Sequence, residues 1–197
     1  MADEIYLIMN KPCGYVCSAV SDSHSTVYDL LSPELRALVQ GAKRGHRLHT
    51  IGRLDCDTSG LLLFTTDGQF SHKIAAAEGI GGLSLPKTYR AKLSRPLTLK
   101  EKDDYITRSE QGLVLPAEKK FPQQQSAPAK LNFVSDEDCD ITVFEGKFHE
   151  VRRIFRALGN EVLQLKRIRI GELELPEKLE AGAYRKLSEE ELSLLQK

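Results

Sequence analysis

Short apolar runs separated by polar segments follow one another along the chain. In some segments the apolar residues recur every two positions, and in others about every 3.6 positions. This pattern predicts strands over residues 5–9, 87–93, 129–134, 141–144 and 162–170. Two further apolar runs, over residues 48–54 and 61–65, flank a short polar loop. The Gln/Pro-rich stretch 119–128 indicates a loop, and glycines over 79–82 indicate a flexible break.

Capping residues predict where the helices begin and end. Ser32 before Pro33 predicts a helix that Gly41 ends, and Asp67 with Gly68 opens a second helix that reaches residue 77. Thr98 heads a capping box and predicts a helix up to residues 111–112. Helical spacing predicts a helix over 148–158, and the acidic run after Ser188 predicts a short last helix.

The order of these elements predicts the fold class. Strands and helices are mixed without a regular strand–helix–strand rhythm, which favours an α+β fold with a mainly antiparallel mixed sheet and flanking helices. A length of 197 residues suits one domain over 1–197, with two subdomains around a central cleft as the open alternative.

Composition and charge narrow the class of protein. No apolar run approaches the roughly 20 residues of a membrane span, and the N-terminus lacks a secretion signal. The four cysteines form no metal-binding pair, so we expect reduced thiols, no metal and a cytoplasmic protein. The net charge is zero, yet residues 43–53 carry four Lys/Arg and no acid, and residues 147–169 carry seven against two acids. Such patches suit phosphate binding, although each alone also fits a solvated surface.

The polar loop of residues 52–60 holds the first candidate chemistry. It has the sequence GRLDCDTSG, in which two acids and two hydroxyls lie between apolar runs. Catalytic groups are often found on such loops, while a turn that merely caps its neighbours is the alternative. We expect Asp57, Thr58 and Ser59 to shape the loop.

The predicted helix over 148–158 holds the second candidate. One buried stripe is formed by the residues Val151, Ile154, Phe155 and Leu158. Arg152 lies on the shoulder of this stripe and therefore needs an acidic partner, unless its side chain extends past the core to water. Arg153 lies nearly opposite the stripe, which predicts that it faces solvent or a ligand.

Four segments together resemble a known family. They are GRLDCDTSGLLLFTTDG, KTYRAKL, EGKFHEVRRIFRALGNEVLQLKRIRIGELEL and LIMNKPCGYVCS. These resemble the motifs of the RsuA-type pseudouridine synthases, which modify ribosomal RNA, and they span residues 5 to about 187 in the family's order. The resemblance implies the pseudouridine synthase fold with its active site in a cleft across the sheet.

The resemblance also implies residue roles. Asp55 matches the aspartate nucleophile, Arg152 matches the cation that forms an ion pair with it, and Tyr89 matches the tyrosine that packs over the target base. Val151 would line the uracil pocket, and Arg53 would help to displace the target uridine from its stack. The expected RNA-binding residues are Arg53, His149, Arg153, Arg156, Lys11 and Lys87.

Two departures from the family pattern stand out. Glu150 occupies the position where the family usually has glutamine, which alters any hydrogen bond to RNA there. Many family members carry an N-terminal S4 RNA-binding domain, whereas this sequence opens at the segment that matches the catalytic domain, so we expect no S4 domain.

The implied reaction breaks the uridine N1–C1′ bond and rejoins the base through C5. It is redox-neutral and loses no atom of the uridine skeleton, so we expect no cofactor. Asp55 would attack either C1′ of the ribose or C6 of the uracil, and the sequence leaves both routes open. Either route needs an ionised carboxylate, which Arg152 would favour.

The expected function is conversion of one uridine of small-subunit (16S-type) ribosomal RNA to pseudouridine. A large-subunit (23S) or transfer RNA substrate is the alternative, and a non-catalytic RNA-binding assembly protein is another. A Mg²⁺-dependent phosphotransferase using Asp55 and Asp57 fits poorly, because the threonine comes one position early. The expected partner is ribosomal RNA or a ribosomal subunit precursor, with no DNA or membrane partner, and we expect a monomer.

Overall fold

Two groups of strands and helices each gather around their own apolar core in the computed structural model, which describes residues 4–40, 46–75 and 85–196. The first unit comprises the described residues up to Leu85 and from Arg167 onward, and the second comprises Pro86–Lys166. The predicted helix end at Gly41, part of the basic stretch 43–53, the helix end near residue 77 and the break at 79–82 lie outside the described residues.

The first unit is built on antiparallel strands. Its elements are β1 (Tyr6–Lys11), a 3₁₀ helix (Val27–Leu30), α1 (Pro33–Gln40), β2 (His49–Ile51), β3 (Thr58–Thr65), α2 (Gly68–Ala75), the second half of β9 (Val162–Ile170), β10 (Leu173–Glu174), β11 (Tyr184–Lys186) and α5 (Glu189–Leu194). β1 lies between β11 and β3, and β2 pairs with β3. β1 and β3 are almost wholly buried, which explains their continuous apolar runs.

The second unit combines a ladder of three antiparallel strands and a separate two-stranded pair with two helices. Its elements are β4 (Lys87–Leu93), α3 (Leu99–Glu110), β5 (Val114–Leu115), β6 (Gln124–Gln125), β7 (Lys130–Phe133), β8 (Asp138–Val143), α4 (Glu150–Leu158) and the first half of β9. β8 lies between β4 and β7, while β5 and β6 form a separate pair. The core gathers residues from β4, β8, α4 and the turn after α3.

The predicted fold class is confirmed, since antiparallel ladders and flanking helices build both units. Several element bounds differ from prediction, and two of them have a clear local reason. β2 stops at Ile51 because Gly52 adopts a φ of 68°, and α4 starts at Glu150 because His149 adopts the left-handed conformation. The stretch 119–128 contains the short strand β6. No helix in the described residues is long and apolar enough to cross a membrane.

Candidate active site

The Asp55 loop connects β2 to β3 and contains a tight turn. The Thr58 backbone N–H donates to the Asp55 carbonyl oxygen over 3.1 Å, so the chain reverses direction directly after Asp55. Leu54 is buried beside Cys17, whereas the Asp55 side chain is half-buried and Asp57 is exposed. The turn therefore fixes the backbone on both sides of Asp55.

Lys11 holds this turn in place through its side-chain ammonium group. Its side chain is fully buried, and its Nζ lies within hydrogen-bond distance of four backbone oxygens, those of Pro12 (3.0 Å), Asp55 (3.0 Å), Cys56 (3.5 Å) and Thr58 (2.8 Å). Burial lowers the pKa of Lys11, and nearby thiols and Asp55 only partly oppose that shift. The prediction that Lys11 contacts RNA is wrong, because its ammonium group is enclosed by the loop that carries Asp55.

Gly60 ends the loop where β3 passes very close to another strand backbone. Its φ is +104°, and a Cβ atom there would lie 2.2 Å from the Arg167 carbonyl oxygen. Arg167 is itself buried and donates through Nε to the Leu61 carbonyl oxygen at 2.8 Å. The glycine of the DxDTSG sequence is thus required by the backbone packing.

We expect Gly60→Ala to lower the free energy of unfolding by about 3 kcal/mol or more, because it adds backbone strain and a steric overlap at once. Urea unfolding measures the loss. Gly146→Ala is the matched control, since a Cβ atom added at Gly146 would have no heavy atom within 4 Å and the φ there is not positive. Equal stability of the two variants would contradict the requirement at Gly60.

In the second unit, the start of α4 collects most of the remaining predicted site residues. Val151 is buried in the core against which the half-buried Tyr89 packs, so this unit brings the two predicted base-pocket residues into one cluster. Arg152 is half-buried, and its Nη1 donates to the Val162 carbonyl oxygen at 2.9 Å. The predicted ion pair between Arg152 and Asp55 stays a prediction.

Arg153 does not face solvent, and that prediction is wrong. The side chain is fully buried and donates to three backbone oxygens, those of Pro116 (2.9 Å), Phe148 (3.3 Å) and Pro122 (2.9 Å). The segment around β5 and β6 covers the face of α4 that carries Arg153, which the helical pattern alone predicts to be exposed. Arg153 therefore holds that segment and is not available to RNA.

The other predicted RNA-binding residues lie at or near the surface. Arg53 and Arg156 are exposed, and Lys87 and His149 are half-buried. His149 Nδ1 lies 2.8 Å from Glu118 Oε1, and Arg156 Nη1 donates to Glu118 Oε2 at 3.2 Å. Burial raises the pKa of Glu118, but these two partners outweigh that effect and lower it overall. No local sequence pattern points to Glu118, because its partners lie more than 30 positions away.

Glu150 is a buried acid next to these residues. Burial raises its pKa to about 7, and the hydrogen bond and negative charge of Glu145 add to the shift, while Lys147 partly opposes it. Glu145 is the ionised partner: burial raises its pKa, but hydrogen bonds from the Ala127 N–H, Lys147 and Glu150 lower it overall. The two carboxyl groups therefore share a proton near neutral pH.

We expect Glu150→Gln to stabilise the protein increasingly as the pH rises. Glu150 ionises near 4.5 when unfolded and near 7 when folded, so the wild-type protein loses stability as the pH rises through that window. Glutamine does not titrate, so the advantage of the variant should grow by up to about 3 kcal/mol between pH 4.5 and pH 8. Denaturant unfolding at both pH values measures this. Glu177→Gln, at an exposed position, should give a pH-independent difference, and a flat difference for Glu150→Gln would refute the shifted ionisation.

Comparison with known proteins defines the class to which this arrangement belongs. The RNA pseudouridylate synthase family matches residues 5–157, which include the Asp55 loop, β4 and most of α4. The chain belongs to this family, and the prediction of a pseudouridine synthase is confirmed.

Individual relatives agree with this membership. The ribosomal small subunit pseudouridine synthase A of Haemophilus influenzae is 37% identical over 98% of this chain and 74% of its own length. The Vibrio cholerae protein of the same name is 39% identical over the same shares, and the Escherichia coli protein is 37% identical over 95% and 72%.

Solved structures support the predicted fold. A crystal structure of a pseudouridylate synthase superimposes with a TM-score of 0.82 and 36% identity, covering 99% of this chain and 75% of that one. An H/ACA ribonucleoprotein bound to a substrate RNA superimposes with a TM-score of 0.55 at 16% identity, covering 90% and 50%, which shows a shared fold alone. The predicted pseudouridine synthase fold is thus confirmed.

Proposed function

We propose that this protein converts a uridine of small-subunit ribosomal RNA to pseudouridine, with Asp55 as the nucleophile. The main supporting observation is the Asp55 loop, in which Lys11 fixes the backbone while the carboxylate remains half-buried. A nucleophile needs this combination of a fixed position and access to substrate. The names and identities of the relatives support the choice of small-subunit RNA.

Asp55 would attack C1′ of the ribose or C6 of the uracil while the N1–C1′ bond breaks. The base then turns, and C5 bonds to C1′. The Asp55–C1′ bond breaks as this bond forms, or, on the other route, the Asp55–C6 bond breaks afterwards, which restores the carboxylate. The proton on C5 leaves to solvent and N1 takes up a proton. Arg152 would pair with the carboxylate, Tyr89 would pack over the base, and Val151 would form the floor of the pocket. No step needs an oxidant, a reductant or a metal.

The target uridine must leave its stack before this chemistry, which costs a few kcal/mol. Arg53, two residues before Asp55, is exposed, and it would fill the gap left by the base. Arg156, Lys87 and His149 would contact the RNA around it. We further propose that the protein acts in the cytoplasm, as a monomer, on ribosomal RNA or a subunit precursor.

Tritium release tests this proposal directly, because bond formation at C5 expels the hydrogen of that carbon. Transcripts of small-subunit RNA, large-subunit RNA and transfer RNA, each made with [5-³H]uridine, are incubated with the protein, and carbodiimide mapping then locates the modified base. We expect release from the small-subunit transcript, unchanged by EDTA.

The other results would contradict the proposal in identifiable ways. Release only from the large-subunit or transfer RNA would reassign the substrate. Binding of ribosomal RNA without any release would indicate an assembly protein, and loss of release in EDTA would indicate a metal-dependent reaction.

A further inference from the structure

Three aromatic rings form a continuous stack in the second unit, beside the start of α4. The Phe121 and Phe148 rings are 4.1 Å apart at an interplanar angle of 10°, and the Phe148 and His149 rings are 3.8 Å apart at 16°. All three side chains are half-buried, so the stack reaches the surface. Proteins bind unpaired nucleobases by stacking them on the accessible faces of aromatic side chains.

The backbone beneath the stack is held in unusual conformations. Among the described residues, the non-glycine residues with positive φ are Lys119 (51°) and His149 (47°), and both belong to this region. Glu118 and Phe121 exchange two backbone hydrogen bonds of 2.9 Å, so Lys119 and Lys120 form the tip of a tight turn. Residues in such conformations concentrate at functional sites, where the surrounding structure enforces them.

Arg153 stabilises the backbone conformations at Lys119 and His149. Its guanidinium group binds the carbonyl oxygens of Pro116 and Pro122, on either side of the turn, and that of Phe148 in the stack itself. One buried side chain thus ties the turn to the start of α4. The stack is therefore formed before any ligand arrives, which lowers the entropic cost of binding.

Positive charge surrounds the rings. The Lys119 Nζ lies 5.8 Å from the centre of the Phe148 ring, and the Lys120 Nζ lies 5.8 Å from the centre of the Phe121 ring. Both lysines and Arg156 are exposed, and the acid within this group is Glu118, which already binds His149 and Arg156. A ligand for this surface should combine a flat aromatic group with negative charge.

We propose that the Phe121–Phe148–His149 stack, with Lys119 and Lys120, is a docking site for an unpaired RNA nucleobase and its adjoining phosphates. The rings would stack on the base, and the lysines would bind the phosphates without reading the sequence. This inference rests on the proposed function for the nature of the ligand. It adds a contact surface outside the Asp55 loop and outside the residues that the family motifs predicted to bind RNA, apart from His149.

Fluorescence anisotropy with two labelled probes tests the site. One probe is an oligouridylate of about 12 nucleotides, and the other is an abasic oligomer with the same number of phosphates. We expect wild-type protein to bind the oligouridylate more tightly, and Phe121→Leu to weaken that binding at least about fivefold while leaving the abasic probe unaffected. The double variant Lys119→Gln/Lys120→Gln should weaken binding of both probes.

Phe133→Leu is the matched control. Phe133 is also half-buried in the second unit with a lysine over its ring, Lys102 at 5.8 Å, but it packs against the core rather than in the stack. Circular dichroism and thermal unfolding confirm that both leucine variants fold. We expect Phe133→Leu to bind the oligouridylate as the wild type does.

Three results would overturn the docking site. They are equal affinity of the wild-type protein for both probes, unchanged oligouridylate binding by Phe121→Leu, and equal losses in Phe121→Leu and Phe133→Leu. Tritium release by wild-type protein, measured in parallel, separates the two proposals. Release together with any of these three results refutes the docking site alone, whereas absence of release refutes the proposed function.

Discussion

Replacing Asp55 by asparagine should reduce the rate of tritium release by at least about 10⁴-fold, the scale of loss seen when an enzyme loses its nucleophile. Asparagine has nearly the same shape and keeps the backbone carbonyl that accepts from Thr58 and Lys11. It cannot act as a carboxylate nucleophile at either C1′ or C6. The variant should therefore fold and bind RNA while forming no pseudouridine, as single-turnover assays and carbodiimide mapping would show.

Asp57→Asn is the matched control, because it makes the same chemical change in the same turn. Asp57 is exposed, and its role under our proposal is to shape the loop. We expect its rate to stay within about tenfold of wild type, since no covalent step is lost. Comparable activity in Asp55→Asn and wild type would remove Asp55 from its assigned role, and equal inactivation of both variants would mean that loop structure, rather than nucleophilicity, is being measured.

Lys11→Met should lower the free energy of unfolding by about 3 kcal/mol or more. The substitution keeps the apolar length of the side chain but removes the ammonium group that binds carbonyl oxygens of Pro12, Asp55, Cys56 and Thr58. Each buried oxygen left without its donor costs roughly 1–3 kcal/mol. Urea unfolding measures the loss, and tritium release from the folded fraction should fall as well, because the Asp55 turn loses its anchor.

Lys186→Met provides the comparison for Lys11. Lys186 lies on β11 in the same unit but is exposed, so its ammonium group remains in water and its removal should change stability by no more than about 0.5 kcal/mol. A loss below 1 kcal/mol for Lys11→Met would show that water or a shifted loop satisfies the carbonyl oxygens. That result would return Lys11 to the candidates for RNA contact.

Local signals in the sequence predict much of the fold. Thr98 and Ser188 cap α3 and α5 through capping boxes with Glu101 and Glu191, as side-chain spacing indicates. The bounds of β4 and β9 agree with the predicted strands, because their patterns depend on neighbouring residues alone. The Asp55 loop also lies where the sequence predicts it, between two apolar strands.

Two cations show what local patterns cannot predict. The sequence predicts RNA contacts for Lys11 and Arg153, yet each is buried against backbone oxygens. Some of these oxygens lie more than 30 positions away along the chain, so no helical wheel or strand alternation includes them. A cation bound to carbonyl oxygens also leaves no acidic partner in the sequence to suggest the contact. The aromatic stack has no sequence signal for the same reason, because Phe121 and Phe148 meet only in the folded unit.

The Glu145–Glu150 pair offers an account of the departure from the family pattern at Glu150. A protonated carboxyl group has one hydroxyl donor and one carbonyl acceptor, in nearly the shape of a glutamine amide. With a pKa of about 7, Glu150 is protonated in a large fraction of molecules at neutral pH. The acid can therefore stand in for glutamine as a hydrogen-bonding group there, at a cost in folding stability that builds up as the pH rises from 4.5 to 7.

Burial of Arg153 and Arg167 also limits how strongly dissolved ions should compete with RNA. Seven cations lie between residues 147 and 169, but these two are enclosed by the fold, so five remain to displace counterions from phosphates. If all five made contact, the logarithm of the association constant for single-stranded RNA would fall with the logarithm of salt concentration at a slope of about −3.5, rather than about −5. Association should consequently tolerate physiological ionic strength better than the raw sequence suggests.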